Sequence, residues 1–178
     1  MENRNTLYKM TKTVTHIDCP ADWQSTNDYD SHRPLLWLAV NNMDKGKSVT
    51  EFGCGEGSTL LLREYCKENN IQFNSYETNK EYAERYGATK VNDYDEIQLS
   101  NIGLLFIDSA PGEQRKNLVE KHQNNADIII LHDTEVGARG IYGISEILNS
   151  FLYRLDYCPV GNPATSLLSD TINFEGWI

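Results

Sequence analysis

The chain has 178 residues, with 26 Asp and Glu against 16 Lys and Arg, a formal net charge of -10 and an isoelectric point near 4.8. That length builds one domain with a full core rather than two comfortable ones. Lys9 with Lys12 and Lys45 with Lys47 are sparse pairs among many carboxylates, whereas displacing phosphate counterions takes clustered cations, so no nucleic-acid partner is expected.

No apolar run reaches the length of a membrane span, and the polar start "MENRNTLYKMTKT" does not read as a signal peptide. Cys19, Cys54, Cys66 and Cys158 form no C-x-x-C pair, which argues against a zinc site and suits a reducing, cytoplasmic setting. The spacing shows no repeat and gives no oligomeric state.

In chain order, residues 1–30 are polar and weakly patterned, and read as an arm or cap. From 31 to 178 a single domain is expected. "SHRPLLWLAVNN" predicts a helix, with Ser31 as its cap and Pro34 in its first turn. "SVTEF" predicts a strand, and "STLLLREYCKEN" a helix with Leu60, Leu61, Leu62 and Tyr65 near one side. "IQFNSYE" is a second strand, "NKEYAERYG" a short helix ended by Gly87, and "TKVND" holds a third strand. "IGLLFID" and "ADIIILHD" are almost wholly apolar, as expected of parallel strands covered on both faces. "EQRKNLVEKHQNN" and "GIYGISEILNSFL" predict helices, and "RLDYCPV" with "TSLLSDT" a terminal antiparallel hairpin. Alternation of this kind makes a doubly wound α/β fold, a mostly parallel sheet with helices on both faces. Its ligands bind outside the carboxyl ends of the strands, near the switch point.

The stretch "VTEFGCGEGST" stands at the first such end. A dinucleotide turn reads G-x-G-x-x-G, but its third glycine position is Ser58 here, and Gly57 comes one residue early. No Lys follows the glycines, so the phosphate loop is absent as well. A pyrophosphate would also meet Glu51 and Glu56, a like-charge contact costing on the order of 2 kcal/mol at about 7 Å and an effective dielectric of about 20. S-adenosylmethionine carries no phosphate, and its ammonium and sulfonium suit a nearby glutamate. Glu77 ends the second strand, 20 residues after Gly57, where a carboxylate can accept both ribose hydroxyls.

These residues together resemble motif I and the following acidic position of class I S-adenosylmethionine-dependent methyltransferases, over roughly Val49 to the C-terminus. The resemblance implies a seven-stranded sheet whose last strand is antiparallel. It implies Glu51, Gly53, Gly55 and Gly57 around the methionine moiety and Glu77 on the ribose. It also implies an acid near the adenine amine, Asp93 rather than Asp95 because Asp93 directly follows the strand. "LLFIDSAP" and "IIILHDTE" look like the small-molecule and sugar methyltransferases related to catechol O-methyltransferase, whose metal-dependent members hold magnesium at such strand ends. That likeness implies a magnesium ion on Asp108 and Asp133, although Thr134 stands where a third ligand is expected. Without metal, His132 or Asp108 serves as general base. His32 and Arg33 either contact a ligand or simply start a helix. The expected activity is methyl transfer to an oxygen, less readily a nitrogen, of a small molecule or sugar. A non-catalytic S-adenosylmethionine-binding module and an oxygenase-type relative are the alternatives.

Overall fold

In the computed structural model, which describes residues 9–178, one eight-stranded sheet carries helices on both faces. The elements are β1 (Met10–Val14), α1 (Arg33–Asn42), β2 (Ser48–Phe52), α2 (Thr59–Glu68), β3 (Phe73–Glu77), α3 (Lys80–Tyr86) and β4 (Thr89–Lys90), then β5 (Ile102–Ile107), α4 (Gln114–His122), β6 (Ala126–His132), α5 (Val136–Ile141), α6 (Ser145–Ser150), β7 (Tyr153–Tyr157) and β8 (Thr165–Ser169). The strand order is β1-β7-β8-β6-β5-β2-β3-β4, and β8 alone runs antiparallel, to both β6 and β7. This is the Rossmann-like sheet expected from the alternation, with one strand more.

The extra strand comes from the segment read as an arm. Met10–Val14 pairs in parallel with β7 at the sheet edge, and its three central residues are exposed. "MTKTV" is short and polar at its centre, so no alternating pattern marks it, and a polar edge is what discourages pairing with other chains.

The apolar runs behave as their composition requires. All six residues of β5 are buried, with Leu104 and Phe106 on one face and Leu105 and Ile107 on the other. On the first face they meet Leu35, Leu36 and Val40 of α1 and Leu62 of α2, and on the second Leu118 of α4 and Ile147 and Leu148 of α6. Two cores thus grip the sheet from opposite sides, which holds the strand ends rigidly in register.

Three local expectations change. The buried stripe of α2 is Thr59, Leu62 and Cys66, while Leu60 is 51% exposed, because a 3.6-residue turn takes it off that face. "GIYGISEILNSFL" is two short helices rather than one, broken where Gly143 adopts a φ of +64°. Ser31 does not cap α1: it is fully buried and its hydroxyl turns to Pro163 and His132. Among the described residues, no helix is long and apolar enough to cross a membrane.

Candidate functional site

Strands β2 and β5 lie side by side at the centre, and the chain winds outward from them in both directions, so the loops after them flank the switch point. The glycine turn leaves β2 there. Glu51, the last but one residue of β2, has no exposed surface. Its carboxylate accepts the Thr59 hydroxyl at 2.9 Å, the Ser75 hydroxyl at 2.7 Å and the Ser58 hydroxyl. Burial raises its pKa to about 7 even against those three donors. Thr59 Oγ1 in turn accepts the Gly55 amide at 2.8 Å. Glu51 therefore braces the turn from behind instead of facing a ligand, which corrects the expectation that it meets positive cofactor groups directly.

The three glycines do different work. A Cβ on Gly53, whose φ is +89°, would lie 2.6 Å from the Asp108 carbonyl carbon, and one on Gly57 would lie 2.6 Å from the Tyr29 carbonyl oxygen. Both positions are filled by backbone, so these glycines let segments touch. Gly55 has nothing within 4 Å of its outer face. It is the open point of the turn. Beside it lies a cavity of about 560 Å³, rimmed by Tyr29, Arg33, Tyr82 and Arg85. Arg33 latches the outer side of the turn, donating to the Gly57 carbonyl at 2.9 Å and pairing with Asp30 at 3.0 Å.

Glu77 also turns inward more than expected. It is 7% exposed, and its two oxygens accept the Cys54 amide at 3.0 Å and the Asn79 amide at 2.7 Å. It stitches the glycine turn to the loop after β3; the Thr78 and Tyr94 hydroxyls also reach Oε1, at 3.4 and 3.5 Å, so Oε2 is the oxygen with a lone pair to spare. Asp93 is exposed and accepts the Asp95 amide at 3.0 Å, opening the 3-10 turn at Tyr94–Glu96.

After β5 and β6, Asp108, His132 and Asp133 come together with a residue that the sequence reading passed over. Arg115, 5% exposed on α4, donates to Asp108 at 2.9 Å, to Asp133 at 2.8 Å and to the His132 carbonyl at 2.9 Å. The two aspartates do share a cation on one lip of the sheet, but it is this guanidinium. That corrects the magnesium expectation, since their mutual repulsion is already relieved and two imidazoles, not further oxygens, stand nearest. Nothing in sequence ties Arg115 to the strand ends except its place in the first turn of the helix after β5.

His132 is flanked on both sides. Its Nδ1 lies 3.1 Å from Asp108, and its Nε2 lies 3.0 Å from Ser31 Oγ, whose own proton goes to the Pro163 carbonyl at 3.1 Å. Burial acts to lower its pKa, yet Asp108 and Asp133 outweigh that and the net shift is upward. Burial would raise Asp108, but His132 and Arg115 hold its carboxyl well below the usual carboxylate range. Both of its ring nitrogens are engaged by protein groups, so the structure gives His132 a positioning geometry rather than that of a ready base. His32, buried at the start of α1, faces His132 at a ring separation of 4.8 Å and packs against Phe106.

No protein-family model and no curated protein sequence matches the chain. Solved structures do. The delta-N METTL16 MTase domain superposes with a TM-score of 0.55 at 10% identity, over 89% of this chain and 90% of that one. The N-terminal domain of human METTL16 in complex with SAH gives 0.50 at 10% identity, over 88% and 76%. The T. thermophilus 16S rRNA N2 G1207 methyltransferase (RsmC), in complex with AdoMet and guanosine, gives 0.48 at 14% identity, and this chain spans only 38% of its length. The fold is that of Rossmann-like S-adenosylmethionine-dependent methyltransferases. The narrower likeness to catechol O-methyltransferase relatives finds no support among them. The exclusion of nucleic acid, and the small-molecule or sugar acceptor with it, is not upheld by the METTL16 MTase domains among the matches. Net charge sums over a whole surface, whereas a base is held by a few side chains at one rim.

Two outcomes follow from the brace. Because the folded pKa of Glu51 lies above the ordinary 4.5, the folded state binds the extra proton, and its stabilisation is lost as pH rises from about 4.5 to about 7. Glu51→Gln should remove that slope, seen in denaturation series as a wild-type minus variant difference on the order of 3 kcal/mol across the window. Gly53→Ala should destabilise by at least about 2 kcal/mol, since its Cβ meets backbone in a left-handed conformation.

Proposed function

We propose that this chain binds S-adenosylmethionine across the Gly53–Gly57 turn and passes its methyl group to an acceptor that enters from the adjoining cavity. The observation that carries this reading is the open outer face of Gly55, on a turn at the switch point that is braced by Glu51 and stitched to Glu77. The residues fit such a ligand. The cradle has room only at Gly55, where a Cβ would be the first intruder, and the turn carries no cation for a pyrophosphate. Gly53 and Gly57 keep the loop tight, Glu77 takes the ribose hydroxyls chiefly through Oε2, and Asp93 stands toward the adenine. The bound cofactor supplies an electrophilic methyl on a sulfonium. Direct displacement needs the acceptor held in line, so the chain contributes chiefly positioning and exclusion of water. Asp108, with about a quarter of its side chain exposed, is the polar group available to orient an acceptor, and His132 and Arg115 fix its direction.

The rim favours a planar acceptor. Tyr29 is 88% and Tyr82 49% exposed, and both border the cavity with Arg85. Exposed rings beside a guanidinium are how unpaired bases are stacked, each worth about 1–3 kcal/mol. A base in single-stranded nucleic acid is therefore the acceptor this reading names.

Calorimetry should show S-adenosylmethionine or S-adenosylhomocysteine binding in the micromolar range and no comparable binding of NAD. Tighter NAD binding would overturn the cofactor assignment. Gly55→Ala should leave the melting temperature nearly unchanged yet weaken the cofactor by about tenfold, or 1.4 kcal/mol. Glu77→Ala should weaken it by about 1.5–3 kcal/mol, the scale of a charge-assisted hydrogen bond, and also lower stability because two amides lose their acceptor. For the acceptor, a labelled methyl donor should mark single-stranded RNA or DNA, and Tyr82→Ala should reduce labelling without altering cofactor affinity. Label confined to small metabolites would contradict the acceptor while leaving the cofactor in place.

A further inference from the structure

Behind the glycine turn lies a cluster with one member, His32, to which the proposed methyl transfer gives no task. His32, Asp108 and His132 each offer one ligand atom, all within 4.8 Å of one another, the only such group of three or more among the described residues. His32 is 1% exposed, and neither of its ring nitrogens has a hydrogen-bond partner among the described residues. An unsatisfied buried polar group costs about 1–3 kcal/mol, and an imidazole left so beside a carboxylate and a second imidazole asks for a partner. His122 is the informative contrast. It too is buried without a partner, but it packs on Phe52 and belongs to no such cluster, so it is a core ring.

We propose that His32, Asp108 and His132 bind one borderline divalent cation of the zinc, cobalt or nickel kind. Two imidazoles and one carboxylate select such ions over magnesium, which prefers an all-oxygen shell. Ligand atoms about 2.1 Å from a tetrahedral ion stand about 3.4 Å apart, so closing the cluster takes side-chain movements on the order of 1 Å. The surroundings fix the ligands. Ser31 gives its proton to Pro163, so its oxygen takes the Nε2 proton of His132 and leaves Nδ1 to face Asp108. Arg115 holds Asp108 through Oδ1 and leaves the other oxygen free. Gly57 makes the space, since a Cβ there would stand 3.0 Å from the His32 ring. Asp108 and Asp133 place two carboxylates against the one guanidinium of Arg115 beside the site. Three protein ligands leave a coordination position open. The lack of paired cysteines says nothing against a site of imidazoles, and Asp133, engaged by Arg115, is not among the ligands.

The test uses the full chain with zinc chloride or cobalt(II) chloride alone, and does not depend on the cofactor. Equilibrium dialysis should give one ion per chain, with a raised melting temperature that millimolar magnesium does not reproduce. The cobalt form should show visible d–d bands without a thiolate charge-transfer band. His32→Phe keeps the ring that packs on Phe106 while removing both nitrogens, and should weaken binding on the order of a hundredfold, as should Asp108→Asn; Ser31→Ala should weaken it about tenfold. Metal-free melting curves of each variant separate lost ligation from lost folding. His16→Ala, which removes an exposed imidazole beside Asp18, should leave binding unchanged. Binding that survives His32→Phe, or that is abolished by Asp133→Asn with His32→Phe unaffected, would overturn the site, as would no binding at all in folded wild-type chain.

Discussion

A single buried carboxylate organises the ligand end of this molecule. Placing Glu51 at zero exposure would be ruinous for an unpaired charge, and three hydroxyls from three positions make it tolerable. Ser75 belongs to β3, Ser58 and Thr59 to the start of α2, and Glu51 to β2, so one side chain fixes two strands and a helix N-terminus relative to each other. Through Thr59 the same network aims the Gly55 amide. The open turn is thus held from inside the protein, and its outer face is left free for a ligand.

A second charge centre stands directly behind the turn. Arg115 joins the ends of β5 and β6 by holding Asp108 and Asp133, and His132 leans on the same Asp108. The glycine turn and this cluster are in direct contact, because Gly53 sits against the Asp108 backbone and Gly57 against His32. Each close approach is possible only without a side chain. The glycine turn and the polar cluster are therefore one rigid unit rather than two neighbouring sites.

Much of this architecture was legible in the sequence because its signals are local. Continuous apolar runs gave β5 and β6, Gly87 ended α3, and the alternation gave the doubly wound sheet. What stayed hidden is set by tertiary contacts. Glu51 and Glu77 do stand at the ends of β2 and β3, but their inward direction depends on hydroxyls and amides far along the chain. Arg115 shows no signal apart from its helix. Ser31 carries a good capping residue type, yet its partner lies 101 residues away in β6. The strand Met10–Val14 has too polar a centre to be seen, and its pairing with β7 spans most of the chain. Net charge was a poor guide to the acceptor for a related reason, because it sums over the whole surface.

The central claim is that the open face of Gly55 is where the cofactor lies. Its most direct test is a crystal structure of the chain grown with S-adenosylhomocysteine. The expected result is a nucleoside whose ribose hydroxyls meet Glu77 and whose amino-acid end crosses the Gly53–Gly57 turn. A ligand bound elsewhere, with the turn left bare, would contradict it.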